Sequence, residues 1–220
     1  MKTNSTGNKK LTLSRRSIRL NGYDYSQAGA YFVTICTQNR LHLFGEITND
    51  EMVLNEAGMM VEKWWNELKN KFPDIELDEF VVMPNHFHGI LQIFDTNTVG
   101  ADLRVCPDNV GEHKENGKHK EEGKHTGLPL QRMMQWFKTM STNEYIRNVK
   151  NNHWTPFIKK LWQRNYYDHI VRNENELNHI REYIIINPMQ WQCDRENPNH
   201  IHGDDNNTKW NQIEEIIYGK

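Results

Sequence analysis

The spacing of apolar and polar positions changes period several times along this chain of 220 residues. Ala30–Thr37 (AYFVTICT) is an unbroken aromatic and β-branched run of strand length. Ile75–Met83 and His86–Phe94 read as two further strands, and Pro84-Asn85 interrupts or kinks the pair. Between the first strand and this pair the period lengthens. From Asn55 to Lys71, Met59, Met60, Lys63, Trp64, Glu67 and Leu68 recur at helical spacing, with Asn55 as N-cap and Pro73 as the stop. Leu41–Gly45 reads as a short strand or a loop. A second helix is expected over Leu130–Val149, with Met133, Met134, Phe137, Met140, Tyr145 and Ile146 as its apolar members. Leu161–Tyr167 reads as a short aromatic strand or turn. Asn173–Asn187 is a last core helix, capped by Asn173 and stopped by Pro188. A short helix is also expected at Trp210–Tyr218.

The order strand, helix, strand, strand, helix, strand, helix predicts an α+β fold. Its βαββαβ part is the ferredoxin-like (RRM-like) arrangement, one antiparallel sheet with helices packed on one face, followed by a further C-terminal helix. Residues 97–127 break the pattern. They contain three near-copies of a six-residue unit (GEHKEN, GKHKEE, GKHTGL), too polar to bury the surface that folding requires. The expected organisation is a basic arm at 1–22, one domain at 23–191 interrupted by this low-complexity insertion, and a polar tail at 192–220. His113, His119 and His125 of the insertion are a compositional hint of metal binding and no more.

Net charge is only −2, but it is unevenly spread. Residues 1–22 hold six Lys/Arg and no acid, and residues 128–172 hold eight against Glu144 and Asp168. Such patches suit a polyanion bound on one face. No apolar run approaches the roughly 20 residues that span a bilayer, so no membrane partner is expected. The basic N-terminus lacks the apolar stretch of a signal peptide. Cys36, Cys106 and Cys193 are far apart and odd in number, which argues against a disulfide framework and for a reducing cytoplasm.

The chemistry concentrates in two places. In Met83-Pro-Asn-His-Phe-His-Gly89, His86 and His88 are two apart on an expected strand, so they project from the same face. Two imidazoles on a rigid sheet are half of a divalent metal site. In Glu174–Pro188, Tyr183 and Asn187 are four apart on an expected helix and share its face. An amide oxygen is a ligand for hard cations. A divalent ion on two imidazoles and an amide would polarise a phosphodiester oxygen and stabilise developing charge. Tyrosine, with a pKa near 10, needs such an ion or a base to attack as phenolate. These residues together describe metal-assisted phosphoryl transfer with a tyrosine nucleophile.

The motifs FVVMPNHFH, LWQRNYYDHIVRNE and REYIIINP, with the arm RRSIRLNGYDYSQAGAYFVTICTQNR, resemble the single-tyrosine HUH transposases. The likeness is greatest to the REP-associated tyrosine transposases of bacteria, and it covers roughly residues 15–94 and 128–191. The resemblance implies that His86, His88 and Asn187 hold Mg2+ or Mn2+ and that Tyr183, on the C-terminal core helix, is the nucleophile. It implies single-stranded DNA with hairpin (REP-like) elements as substrate, cleaved and rejoined through a 5′-phosphotyrosine with a free 3′-OH. Arg15, Arg16 and Arg19 are then candidates to grip the hairpin or its flank, and Trp162, Arg164 and Tyr166 to supply stacking and phosphate contacts. Tyr166 and Tyr167 are rival nucleophiles without a ligand-type partner one turn away. Asp168 and His169 read as part of a surface turn, or as groups that orient the site or bind DNA. Two alternatives stay open: a decayed, non-catalytic nucleic-acid-binding module, and a metal-dependent hydrolase that uses water. The sequence leaves monomer and dimer equally open.

Overall fold

The computed structural model describes residues 27–94, 129–200 and 208–219. The arm residues Arg15, Arg16 and Arg19 and the insertion at 97–127 lie outside them. Among the described residues, six strands, β1 (Gly29–Cys36), β2 (Gly45–Thr48), β3 (Glu51–Leu54), β4 (Ile75–Val82), β5 (His86–Ile93) and β6 (Tyr167–Val171), are interspersed with five α-helices. The helices are α1 (Glu56–Asn66), α2 (Leu68–Lys71), α3 (Pro129–Asn151), α4 (Glu174–Ile186) and α5 (Thr208–Tyr218). β4, β5, β1 and β6 form one antiparallel sheet in that order. With β1 and β5 central, this is the expected ferredoxin-like α+β arrangement. No helix among the described residues is long and apolar enough to cross a membrane.

Alternation along the central strands divides the core in two. Tyr31, Val33 and Ile35 of β1 and Phe87, Leu91 and Ile93 of β5 face α1 and α3, where Met60, Val61, Trp65, Met133, Met134 and Phe137 complete one cluster. Ala30, Phe32 and Ile90 face the other way and meet Leu177, Ile180, Tyr183 and Ile184 of α4. The segment after residue 191, expected as a polar tail, adds Trp210, Ile213 and Ile217 of α5 to this second cluster. Its three apolar residues recur at i, i+3 and i+7, one helical stripe. Gly89 is required by the first cluster: a Cβ there would lie 2.7 Å from the Trp65 ring and 2.8 Å from Phe87.

Three other elements differ from the sequence reading. The expected first helix breaks at Glu67 into α1 and α2. The segment after Leu43-Phe44 is a hairpin, β2–β3, turned by Asn49 (φ 52°) and Asp50 (φ 64°). Left-handed conformation at both central residues suits a two-residue hairpin, and Asn and Asp tolerate it well. The last strand begins at Tyr167, whereas Leu161–Tyr166 touches the sheet through a single bridge, Thr37 to Trp162. Lys138 on α3 explains the shift, because its Nζ draws the carbonyls of Gln163, Arg164 and Asn165 to 3.0, 3.4 and 3.1 Å.

Candidate active site

The alternation of β5 puts His86 and His88 on the α4 side of the sheet, with Phe87 in the opposite layer. Both imidazoles are fully buried, and their ring centroids are 4.4 Å apart. Each has one nitrogen engaged. His86 Nδ1 lies 2.8 Å from Asn85 Oδ1, and His88 Nδ1 lies 2.9 Å from Thr34 Oγ1, its register partner on β1. The Asn85 amide is oriented by its neighbour: its Nδ2 donates to the Glu196 carbonyl at 2.8 Å, which turns Oδ1 toward His86. An oxygen acceptor makes His86 Nδ1 the protonated nitrogen and leaves a bare lone pair on Nε2. Among the described residues, neither His86 Nε2 nor His88 Nε2 has a hydrogen-bond partner.

A third group completes the cluster. Asp194 Oδ2 is buried beside Asn187 with no hydrogen bond of ordinary geometry, 3.7 Å from His86 Nε2. Ligand atoms of His86, His88 and Asp194 all lie within 4.8 Å of one another, so the three can hold a metal ion. Three orphaned, converging donors of the imidazole and carboxylate type fit a divalent cation, since each would otherwise bear an uncompensated loss of hydration. The 191–197 loop that carries Asp194 is locked in place. Arg40 pairs with Glu196 at 2.9 Å, Glu196 N donates to Asp194 Oδ1 at 2.6 Å, and Asn197 Nδ2 donates to the Trp191 carbonyl at 2.8 Å.

Tyr183 reaches this cluster from α4. Its ring centroid is 5.4 Å from that of His88, edge to face, and 6.1 Å from Phe32. The phenol is fully buried: Trp210 of α5 stacks on it at 4.5 Å, and its hydroxyl lies beside that of Tyr218. Tyr218 of α5 bonds Thr34 Oγ1 at 3.2 Å, so α5 closes over the same hydroxyl that orients His88. Asn187 ends α4, fully buried, with neither side-chain atom in a hydrogen bond of ordinary geometry; it sits beside Asp194.

Burial sets the protonation states. It pulls His86 down to about 3, helped by Arg40 and His42. It pulls His88 well below the ordinary histidine value, helped by His86 and opposed by Asp194. Both rings are therefore neutral at pH 7, the form that ligates metal. Burial raises Asp194, against the opposing pull of His88, the Glu196 amide, Asn187 and Arg195. Burial also pushes Tyr183 well above 10, with Tyr218 and Asp194 adding to it.

The other expected residues are elsewhere. Trp162 is core, 4% exposed, its indole N–H bonded to Ser141 Oγ at 2.9 Å, so it offers no free face for stacking. Arg164 is exposed and Tyr166 half-buried on the α3 side of the sheet, with Lys138 Nζ 5.4 Å over the Tyr166 ring. Tyr167 stands on β6, its hydroxyl bonded to the Ile217 carbonyl. Asp168 and His169 belong to β6 and not to a turn, and His169 pairs with Glu176 at 2.8 Å. Asp194, Asn85 and Thr34 were missed. Thr34 and Asn85 follow from strand register and adjacency once the histidines are chosen. Asp194 follows from no period, only from Trp191 and Cys193 as apolar residues in a polar stretch.

No family model matches the chain. A protein of Haemophilus influenzae, described only as an uncharacterized protein, is 36% identical over 181 residues, which is 82% of this chain and 92% of that one. Among solved structures the chain is similar to a REP-associated tyrosine transposase bound to a REP hairpin, at 18% identity and a TM-score of 0.44, over 74% of this chain and 68% of that one. It is also similar to a candidate transposase from Deinococcus radiodurans R1, at 15% identity and a TM-score of 0.38, over 76% and 96% of the two chains.

Proposed function

The chain belongs to the same family as the Haemophilus influenzae protein, and we propose that it is a metal-dependent single-stranded DNA endonuclease and transposase of the single-tyrosine HUH kind. Its substrate is hairpin-containing, REP-like DNA, which it cuts and rejoins through a covalent 5′-phosphotyrosine. The observation that carries this reading is the convergence of three orphaned donor atoms, on His86, His88 and Asp194, beside a buried phenol. A structural cluster would satisfy its own polar atoms; this one leaves polar atoms unpaired in a group whose ligand atoms lie within 4.8 Å of one another.

His86, His88 and Asp194 would hold Mg2+ or Mn2+, with Asn187 adding its amide oxygen. The ion, when bound, supplies positive charge against the phosphodiester and the phenolate. Tyr183 supplies the nucleophile. Its oxygen forms a bond to phosphorus as the bond to the 3′ oxygen breaks; the phenol releases a proton and the 3′ oxygen takes one up. Rejoining is the reverse, so the bond energy is kept, which a water-based cut does not do. Asn85 and Thr34 act as positioning residues by holding each histidine in one tautomer and orientation.

The test is incubation with single-stranded hairpin DNA and Mn2+ or Mg2+, followed by a denaturing gel. The expected result is a slower-migrating protein–DNA adduct, abolished in Tyr183→Phe and strongly reduced in His86→Ala. Cleavage without an adduct that survives Tyr183→Phe would establish a water-using hydrolase instead. Binding with no cleavage in either metal would establish a non-catalytic module.

A further inference from the structure

On the sheet face away from His86 and His88, α3 and residues 157–166 enclose an open groove of about 770 Å³. Among the described residues its walls include Lys138, Lys159, Lys160 and Arg164 and no carboxylate. Lys138 is spent on structure, since its Nζ serves the three carbonyls of residues 163–165. Lys159, Lys160 and Arg164 are exposed. The half-buried rings of Phe157 and Tyr166 also line the groove.

A second observation is independent of charge. Lys160 N donates to the Ile158 carbonyl at 2.8 Å around Lys159, whose φ is 68°. A three-residue turn with positive φ at a non-glycine centre is rare and strained. The turn lies between Phe157 and Leu161, which pack in or against the first core cluster, and it leaves Ile158 69% exposed. Strain that presents an apolar side chain and two cations to solvent, beside a groove whose described walls carry no acid, fits a polyanion with apolar faces. Nucleic acid has that composition, with phosphates for the cations and bases for Ile158 and the rings.

We infer that this groove is a second nucleic-acid site, which holds a single-stranded stretch of DNA by its phosphates on Lys159, Lys160 and Arg164 while Ile158, Phe157 and Tyr166 pack against bases. In choosing DNA, it rests on the function proposed above. Connectivity places the groove near the metal cluster. The Leu161–Tyr166 segment that walls it bonds the end of β1 through Gln163 N to the Cys36 carbonyl at 2.9 Å, and Cys36 is the register partner of His86. Groove and cluster thus share one end of the sheet on opposite faces, and one strand of DNA can engage both by crossing that end.

The test measures binding of a fluorescent single-stranded oligonucleotide to the full chain in EDTA, across a salt series. The variant Lys159→Gln/Lys160→Gln/Arg164→Gln is expected to bind roughly tenfold more weakly, and its log–log salt slope should be shallower by about 2, near 0.7 per lost phosphate contact. The variant Lys69→Gln/Lys71→Gln on α2 should keep the wild-type slope. Lys159→Gly should raise the melting temperature, by relieving the turn, while weakening binding. An unchanged slope in the triple variant, an equal loss in the α2 variant, or a duplex bound as tightly as the single strand would overturn the inference. So would a Lys159→Gly protein with unaltered affinity. The assay needs neither metal nor Tyr183. A missing covalent adduct would sink the catalytic reading and leave this one standing; an adduct with an unchanged slope would do the reverse.

Discussion

At the scale of the residue, the site depends on a side chain that is not itself a ligand. Asn85 bonds the Glu196 carbonyl through Nδ2 and His86 through Oδ1, which fixes the imidazole with its Nε2 lone pair toward Asp194. Outer partners of this kind are worth about 10- to 100-fold in metal affinity. Asn85→Ala should therefore weaken Mn2+ binding by about that factor, as seen by calorimetry, though Asn85 would not touch the ion. Asp194→Asn should weaken it at least as much, by removing a charged donor. Full retention of affinity in Asn85→Ala would mean that the tautomer is set by something else. Much of this site was legible in the sequence, because His86-x-His88 and Tyr183-x-x-x-Asn187 sit in segments whose periods, 2 and 3.6, assign faces to residues. Asp194 was not legible. It lies in a loop, where position follows from bonds such as Arg40–Glu196 that join residues far apart in the chain.

At the scale of the element, α5 is the feature that bears most on access. Trp210 stacks on Tyr183, Tyr218 reaches Thr34, and Arg195 lies 3.9 Å over the Tyr218 ring. A phosphodiester cannot meet a fully buried phenol while α5 stays docked. The helix carries one group whose charge opposes docking. Glu214 is raised to about 7, chiefly by burial and then by Asp194, and its Oε1 has no hydrogen-bond partner. Its ordinary value is 4.5, so the docked state holds a proton that the undocked state releases. Docking is then favoured most at low pH and loses ground as pH rises from 4.5 through 7. Adduct formation should increase several-fold between pH 6 and 8, and Glu214→Gln should flatten that rise and lower the plateau. A wild-type rise retained in Glu214→Gln would assign the pH dependence to another group. The apolar stripe made this helix legible in the sequence but not its docking, since a stripe says that a face is buried without saying against what.

At the scale of the whole molecule, helices cover both faces of the sheet, and the second layer is built around groups that a purely structural core would avoid. His86, His88, Asp194 and Asn187 are buried with unpartnered polar atoms, each costing about 1–3 kcal/mol relative to a satisfied group. The metal-free protein should accordingly be stabilised by Mn2+, by about 2.7 kcal/mol at a concentration 100 times the dissociation constant. The same burial shapes its response to acid. His86 titrates at about 3 in the folded protein and near 6.5 when unfolded. As pH falls below 6.5 the unfolded chain gains a proton that the native state refuses, so stability drops between 6.5 and 3 and levels off below; this one group accounts for a loss on the order of 5 kcal/mol. His88 is displaced in the same direction and steepens the limb. Asp194, raised by burial, acts oppositely, because its native form holds a proton that the unfolded chain has already lost above its ordinary value of 3.8. Urea unfolding in EDTA at a series of pH values should show stability declining steadily below pH 6.5, and His86→Asn should remove a large part of that decline. A decline of equal depth in the variant would show that the buried imidazoles do not set the acid limit of the fold.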